Sequence, residues 1–224
     1  MTNPKQQRPA FRLFVVAGRQ NAGKTTAAAE LERAVAAVPG RVAVRREMSD
    51  GLKDAVAAAF GFDRARLRNE TAEDRAYTER ADPFWAAALG RPGFGPRQAM
   101  QVMAKALRDS AGIAVWTAGV VAWAEAAVRG GATDVIVSGV RYRDEAATLL
   151  RFAAQAGATA AVVLGVERPA LGPLDPRTAP ECEVEAERLV CDAELCTERV
   201  DNVEDGGERL RAACRRLHER TLAP

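Results

Sequence analysis

The sequence predicts an α/β fold in which a parallel sheet is flanked by helices, and three observations lead to this prediction. The chain has 224 residues, of which 48% are hydrophobic and 28% charged, enough for one domain of ordinary size. Short apolar runs alternate with longer helical patterns along the chain, as in βαβ units. The 18 glycines and 11 prolines mark turns and show none of the periodicity of collagen or low-complexity chains. We therefore expect a single domain over residues 1–224.

The predicted elements follow from hydrophobic periodicity and from the positions of glycine and proline. Four apolar or alternating runs predict strands, at 11–17, 41–46, 134–138 and 160–165. Helical patterns cover 24–38, 51–60, 97–109, about 115–129, 144–156 and 208–217. Residues 62–80 form a charged helical stretch without a clear apolar face, and four prolines between 169 and 180 mark a long loop. A loop of this length in a compact domain is usually functional or mobile.

Composition excludes several classes of protein. The single histidine, His218, argues against a Ser-His-Asp triad and against a histidine metal cluster. The four cysteines form no C-x-x-C pair, so we expect thiols in a reducing cytoplasm. Residues 1–9 are polar with two prolines, unlike a signal peptide. The apolar stretch 111–128 contains Thr117 and Glu125 and is too short to span a membrane, so we expect a buried helix there.

The net charge of +2 hides an uneven distribution. Residues 181–208 hold eleven acidic and two basic side chains, which leaves 30 basic and 19 acidic side chains in the rest of the chain. One interpretation is an ordinary solvated acidic face beside a basic one. The other is a basic body that binds polyanions, with the acidic segment turned away from them.

One motif carries strong chemical information. Residues 18–25, GRQNAGKT, fit G-x-x-x-x-G-K-[ST], with an apolar strand before the motif and a helix after it. Such a loop curls so that backbone N–H groups and the helix N-terminus face phosphate oxygens. We expect phosphate contacts from Gly18, Arg19, Gln20, Asn21, Ala22, Gly23, Lys24, Thr25 and Thr26. Lys24 would bridge the terminal phosphates from a solvent-facing position, and the Thr25 hydroxyl would hold Mg²⁺.

Other segments narrow the choice among phosphate-loop proteins. A guanine-reading N-K-x-D motif is absent, which argues against a GTPase. Five features occur in an order that resembles the bacteriophage deoxynucleoside monophosphate kinase family over most of the chain. After the loop come SDGLKDA at 49–55 with Phe60-Gly61, GPRQAMQ at 95–101, Trp116 in a helix, VRYRDE at 140–145, and Arg168-Pro169.

This resemblance implies a nucleoside-monophosphate-kinase-like P-loop fold with a helical lid and acceptor region at about 62–110, and an ATP- and Mg²⁺-dependent kinase. Two positions depart from the family pattern. Gly139 stands where the family has a strand-end aspartate that helps to hold the water shell of the metal, and Ala104-Lys105 replaces a Gly-Thr pair. Ser138 and Asp50 are the expected substitutes for the acid, and Lys105 adds a cation to the segment that faces the acceptor in such kinases.

Several further residues are candidates for the acceptor and for transfer. Asp50 would orient or deprotonate an acceptor hydroxyl, or alternatively cap the following helix. Arg46 and Lys53 would contact an acceptor phosphate, or be solvated charges. Arg97 and Gln101, one helical turn apart, would face the acceptor together with Glu145. Arg141 would reach the transferring phosphoryl group, or pair with Glu145, and Arg168 would contact the nucleotide. Trp85, Trp116 and Trp123 are read as core residues rather than base-stacking platforms.

Three functional hypotheses remain open at this point. The leading one is a kinase that transfers the γ-phosphoryl group of ATP to the hydroxymethyl group of 5-hydroxymethyluracil in phage DNA, a step of thymidine hypermodification in one branch of the family. The two departures and the basic charge favour it. The second is a kinase for free deoxynucleoside monophosphates. The third is a nucleotide-binding switch without phosphoryl transfer, which only the missing strand-end aspartate supports.

Overall fold

The computed structural model describes residues 10–112, 114–203 and 207–222. A five-stranded sheet is formed by β1 (Arg12–Ala17), β2 (Ala43–Glu47), β3 (Asp134–Val140), β4 (Ala160–Glu167) and β5 (Glu198–Asp201). The strand order is β2-β3-β1-β4-β5, and every neighbouring pair is parallel. The predicted α/β class with a parallel sheet is therefore confirmed. The polar N-terminal nonapeptide lies outside the described residues.

The helices agree in most places with the sequence pattern. They are α1 (Lys24–Ala36), α2 (Asp50–Phe60), α3 (Ala72–Glu79), α4 (Pro83–Ala88), α5 (Pro96–Ala111), α6 (Ala114–Arg129), α7 (Arg143–Ala156), α8 (Glu181–Cys191) and α9 (Glu208–Leu222). The continuous helical stretch predicted for 62–80 is wrong. Asn69 has a left-handed φ of 63°, and Thr71 begins α3 with a reciprocal capping bond to Asp74, so only a short 3-10 turn precedes the helix.

The chain divides into two compact units. The first contains the chain up to Met48 and from Val120 onward, and the second runs from Ser49 to Gly119. The segment 62–110, for which we predict lid and acceptor functions, lies within the second unit, and that function stays a prediction.

The first unit has a hydrophobic core on each face of the sheet. On one face, Phe14, Val16 and Ile136 pack with apolar residues of α1 and α9. On the other face, Val15 and Val137 pack with apolar residues of α6, α7 and α8. Because side chains alternate between the two faces of a strand, this division assigns a face to every residue of β1 and to β3 as far as Ser138.

A buried ion pair joins the first strand to the third strand and to the last helix. Arg12 is fully buried, and its Nε donates to Asp134 Oδ1 at 2.6 Å. Its Nη1 donates to Thr221 Oγ1 at 2.9 Å and to the carbonyl oxygen of His218 at 3.3 Å. Burial of a guanidinium is costly unless a carboxylate and further acceptors meet it, and all of these are present here.

The second unit has its own smaller core, built from Val56, Phe62, Leu67, Phe94 and Ala99. The Trp85 indole packs against this core, and its Nε1 donates to the carbonyl oxygen of Phe60 at 2.9 Å. Trp123 packs in the same way against the core of the first unit.

No single helix of the described residues is long and apolar enough to cross a membrane. The helical segments 96–111 and 115–129 have the length and apolar composition of a membrane span only when they are counted together as one bent pair.

Candidate functional site

The loop between β1 and α1 has a backbone that only glycine fits at two positions. Gly18 has a φ of +146°, and a Cβ there would lie 2.4 Å from the carbonyl oxygen of Val166. Gly23, at the N-cap of α1, has a φ of +110°, and a Cβ there would lie 2.4 Å from Asn202 Nδ2. At Gly18 the close atom belongs to the backbone and leaves no room for a side chain, and at Gly23 the positive φ itself strains any other residue. The two fixed positions of the GRQNAGKT motif are thus required by the local backbone conformation.

Three hydrogen bonds to residues later in the chain, Asn202, Arg168 and Gly172, hold this loop in place. Asn202, which directly follows β5, donates from Nδ2 to the carbonyl oxygen of Ala22 at 2.8 Å. Arg168 Nη1 lies 3.5 Å from the carbonyl oxygen of Asn21. Arg19 reaches outward, and its Nη1 donates to the carbonyl oxygen of Gly172 at 2.7 Å. These contacts give the loop a defined conformation, and a preorganised loop is what anion binding requires.

Lys24 folds back onto the loop. Its Nζ donates to the carbonyl oxygen of Arg19 at 2.5 Å, and the side chain is partly buried. The expectation of a solvent-facing lysine is therefore wrong, because the loop carbonyl offers the ammonium group a partner inside the curl. Burial, reinforced by the nearby Arg141 guanidinium, lowers the pKa of Lys24 to about 7.

A carboxylate from the acidic segment meets the loop. Glu183, in the first turn of α8, is buried, and its Oε2 accepts a hydrogen bond of 2.6 Å from the backbone N–H of Gln20. The same carboxylate forms an ion pair with Arg141, whose Nη1 also lies 3.4 Å from Cys182 Sγ. One carboxylate of the acidic segment thus lies at the loop, and the orientation of the segment relative to a bound polyanion stays a prediction. Helix α8, which the sequence did not predict, brings this residue to the loop.

The Arg141 side chain pairs with Glu183 and not with Glu145. Glu145 Oε2 instead accepts from the backbone N–H groups of Arg141 and Tyr142, at 2.9 and 3.2 Å, where α7 begins. The guanidinium of Arg141 thus lies within the same group of side chains as Lys24, as its expected role on the transferring phosphoryl group requires.

Oxygen atoms suited to Mg²⁺ lie at the carboxyl ends of β2 and β3. Thr25 Oγ1 donates to Glu47 Oε1 at 3.4 Å. Ser138, only 1% exposed, has an Oγ with no hydrogen-bond partner among the described residues. Mg²⁺ binds hydroxyl and carboxylate oxygens, is usually held by one or two carboxylates, and keeps several waters. These residues fit such an ion, and Thr25 and Glu47 would hold it. No cluster of three or more His, Cys, Asp or Glu side chains suited to a metal occurs in the described chain.

Arg46 faces the other side of the sheet. It pairs in register with Val137, and its guanidinium lies over the Trp123 ring, 5.7 Å from the ring centroid. Within the first unit, Arg141 thus lies near the loop that contains Lys24 and Thr25, whereas Arg46 lies on the opposite face of the sheet.

In the second unit, Asp50 lies at the start of α2. Its Oδ1 accepts from Arg64 Nη2 at 3.1 Å, and Arg64 also pairs with Asp54. Ser49 occupies the N-cap position and makes no capping hydrogen bond from its side chain. Lys53, one turn further, is 6% exposed. Asp50 is thus part of a small charged network and is not the side-chain cap of its helix.

The other acceptor candidates lie on α5. Arg97 pairs with Glu79 on α3, and Gln101 is exposed one turn further along α5. Lys105 pairs with Asp109, one turn further along the helix, at 2.8 Å. Buried polar atoms without a hydrogen-bond partner in the described part of this unit include Gln98 Oε1 and Trp116 Nε1.

Sequence reasoning missed Glu47 and Asn202 and left the register of Glu183 undetermined. A signal for Glu47 was present, because strand alternation separates it from Arg46 and directs it to the face of α1. No local pattern marked Asn202 or Glu183, since both lie in a segment with no apolar run to fix its register.

Comparisons with known proteins were made by sequence and by structure. No family model and no curated protein matches the sequence. Among solved structures, a "putative kinase" from Chloroflexus aurantiacus j-10-fl matches with a TM-score of 0.43 at 13% identity, over 95% of this chain and 98% of that one. An unliganded sugar kinase from Janibacter sp. HTCC2649 matches with a TM-score of 0.37 at 16% identity, over 96% and 93% of the two chains.

Proposed function

We propose that this protein is an ATP-dependent phosphotransferase of the P-loop type. The observation that carries the proposal is the loop at residues 18–25, whose two motif glycines have backbone conformations that L side chains rarely adopt. It follows the central strand of a parallel sheet and opens a helix, at the carboxyl edge where ligands bind in open α/β folds. Lys24 and Arg141 lie beside the loop. A bound phosphate favours the ammonium form of Lys24, and the two cations together then support phosphoryl transfer rather than binding alone.

In this proposal the residues near the loop position the nucleotide and neutralise charge. Lys24 leaves the carbonyl oxygen of Arg19 and contacts the terminal phosphates, and Arg141 spreads over the oxygens of the γ-phosphoryl group. Mg²⁺, when bound, neutralises phosphate oxygens and orients the transferring group. The bond between the γ-phosphorus and its bridging oxygen breaks, ADP leaves, and an acceptor oxygen forms the new bond to phosphorus.

For the acceptor, we propose a small phosphorylated molecule such as a free deoxynucleoside monophosphate. Residues 49–119, which contain Asp50, Lys53, Arg97 and Gln101, carry ten basic and nine acidic side chains. A near-neutral segment suits a compact acceptor better than a DNA strand, whose binding depends on several neutralised phosphates.

The second candidate acceptor is the hydroxymethyl group of 5-hydroxymethyluracil in DNA. It is favoured by the excess of basic residues outside the acidic segment, 30 against 19. In that case Asp50 would take the proton of the hydroxyl group, which an already ionised phosphate acceptor does not need.

The test is transfer of radiolabel from [γ-³²P]ATP to free deoxynucleoside monophosphates, to 5-hydroxymethyluracil DNA and to thymine DNA. We expect label on a free monophosphate, and Lys24→Ala should lower turnover by about 10²–10³-fold or more because it removes charge stabilisation from the transferring group. Arg129→Ala, an exposed ion-pair change on α6, is the control with unchanged turnover. Label only on modified DNA selects the second acceptor. A folded Lys24→Ala protein with wild-type turnover rejects the phosphotransferase.

A further inference from the structure

We propose that Glu47 supplies the carboxylate of the magnesium site. It would take the role that a strand-end aspartate has in the resembled family, since position 139 at the end of β3 is a glycine. The inference rests on the proposed function, since it concerns the metal that accompanies the nucleotide. Of the two substitutes expected from the sequence, Ser138 has no carboxylate, and the carboxylate of Asp50 accepts from Arg64 within the second unit.

The strand register directs Glu47 toward the phosphate loop. In the parallel pairing of β2 with β3, Arg45 is opposite Ile136 and Glu47 is opposite Ser138. Ile136 belongs to the core on the α1 face, so Arg45, Glu47 and Ser138 share that face. Arg45 confirms the assignment, because its Nε pairs with Glu32 of α1 at 3.2 Å.

The side chains on that face supply the oxygen atoms that magnesium prefers. Glu47 Oε1 lies 3.4 Å from Thr25 Oγ1, the hydroxyl of the loop motif. Ser138 lies between Glu47 and Val16 in the sheet, and its buried Oγ has no partner among the described residues. A buried hydroxyl without a partner is costly, and a metal-bound water on this face would satisfy it.

The backbone at Gly139 explains why the acid is not found there. The pairing of β1 with β3 shifts at this point, from Val16 with Ser138 to Ala17 with Val140, so that Gly139 is an extra residue in β3. Its φ is +79°, in the left-handed region that favours glycine. The backbone conformation at position 139 therefore favours glycine, and the carboxylate is Glu47 of the neighbouring strand β2.

Asp50 is already engaged elsewhere. Its carboxylate accepts from Arg64 within the second unit. Glu47 is a carboxylate of the first unit that contacts the loop threonine directly.

The experiment measures ATP binding by calorimetry in excess Mn²⁺ and again in EDTA. The ratio of the two affinities isolates the contribution of the metal. We expect Glu47→Gln to lower this ratio about 10–100-fold, the usual effect of losing a residue that supports a bound metal, while affinity in EDTA stays unchanged. Glu32→Gln, which removes a carboxylate from α1 on the same sheet face, should leave the ratio at the wild-type value. Glu47→Asp keeps a carboxylate, so its affinity ratio should lie between those of Glu47→Gln and the wild type.

Ser138→Ala gives a second readout that does not depend on Glu47. Without metal it should be as stable as wild type or more stable, because it removes a buried hydroxyl that lacks a partner, and it should lower the Mn²⁺ ratio. A wild-type ratio in Glu47→Gln, or an equal loss of ATP affinity with and without metal, overturns the inference while ATP binding by the wild-type protein still stands. If the wild-type protein binds no ATP under either condition, the proposed function itself fails.

Discussion

Burial lowers the pKa of Lys24 to about 7, so at pH 8 its side chain is mostly uncharged while its Nζ contacts the carbonyl oxygen of Arg19. A bound phosphate group favours the ammonium form and raises this pKa again. ATP binding at pH 8 should therefore take up close to one proton per nucleotide, about nine-tenths for a group with a pKa near 7. Calorimetry in buffers of different ionisation enthalpy measures this uptake, and Lys24→Met should abolish it. A heat of binding that is independent of the buffer contradicts the prediction.

The same shift determines the pH dependence of stability. The folded-state pKa of Lys24 lies below its ordinary value of 10.5, so between about pH 7 and 10.5 the unfolded chain binds more protons than the folded one. The contribution of this residue to the free energy of unfolding therefore rises with pH across that window, and Lys24→Met removes it.

Glu183 is the partner of a partly buried arginine and of a loop amide. Glu183→Gln keeps the shape and the hydrogen-bond acceptor but removes the charge that faces Arg141. Because the side chain of Arg141 is 29% exposed and partly screened by water, we expect a loss of about 1–3 kcal/mol in the free energy of unfolding by urea. Glu185→Gln, in an exposed pair with Arg188 on the same helix, should change it by less than about 0.5 kcal/mol. Equal effects of the two variants would show that the carboxylate of Glu183 has no special role.

The role of a single residue could be predicted from the sequence when the residues that reveal the role lie close together in the chain. The phosphate loop could be read because its glycines, Lys24 and Thr25 are contiguous and their spacing has a mechanical cause. Arg46 was a candidate contact for an acceptor phosphate and Glu47 was not a candidate for any role, although alternation in β2 gives the two residues opposite faces. Asn202 could not be predicted, since it reaches Ala22 across 180 residues of sequence.

At the scale of elements, the loop and its neighbouring strands act as one unit. Gly18→Ala places a methyl group 2.4 Å from a carbonyl oxygen of β4, in a backbone conformation that L-residues rarely adopt. We expect a loss of about 2–4 kcal/mol in the free energy of unfolding from strain and overpacking together. Gly157→Ala is the matched control, with a φ of +79° and open space around it, and should cost only about 1 kcal/mol. Urea denaturation compares the two, and similar losses would mean that β4 yields easily at this contact.

Element prediction succeeded where hydrophobic periodicity was strong and failed where it was weak. The buried runs of β1, β3 and β4 and the amphipathic pattern of α9 were read correctly in kind, although α9 continues to Leu222. Strand β5 has four residues, only one of which is buried, so it shows no apolar run. Helix α8 was hidden by its acidic composition, since its four buried residues (Glu183, Ala186, Leu189 and Val190) include a glutamate.

For the molecule as a whole, charge distribution bears on the choice of acceptor. Residues 49–119 are nearly neutral, so we expect weak binding to DNA with a shallow dependence on salt. The apparent affinity should change less than about tenfold between 50 and 200 mM salt, against about 10³–10⁵-fold for a protein that neutralises six to ten phosphates. Fluorescence anisotropy with 5-hydroxymethyluracil duplex and thymine duplex measures it, and ATP binding serves as the reference. A steep slope would favour DNA as the acceptor.

The buried Arg12 also affects how the molecule is assembled on the ribosome. Its acceptors lie far away in sequence, with the carbonyl oxygen of His218 following 206 residues later. At the usual pace of synthesis, roughly 10 to 40 seconds separate the two residues. During that interval the guanidinium must stay in water, because burying it without Asp134 and α9 would leave an uncompensated charge. The central strand β1 is thus the first strand to be synthesised and among the last to be fully packed. We expect nascent chains to bind chaperones until the final helix has left the ribosome.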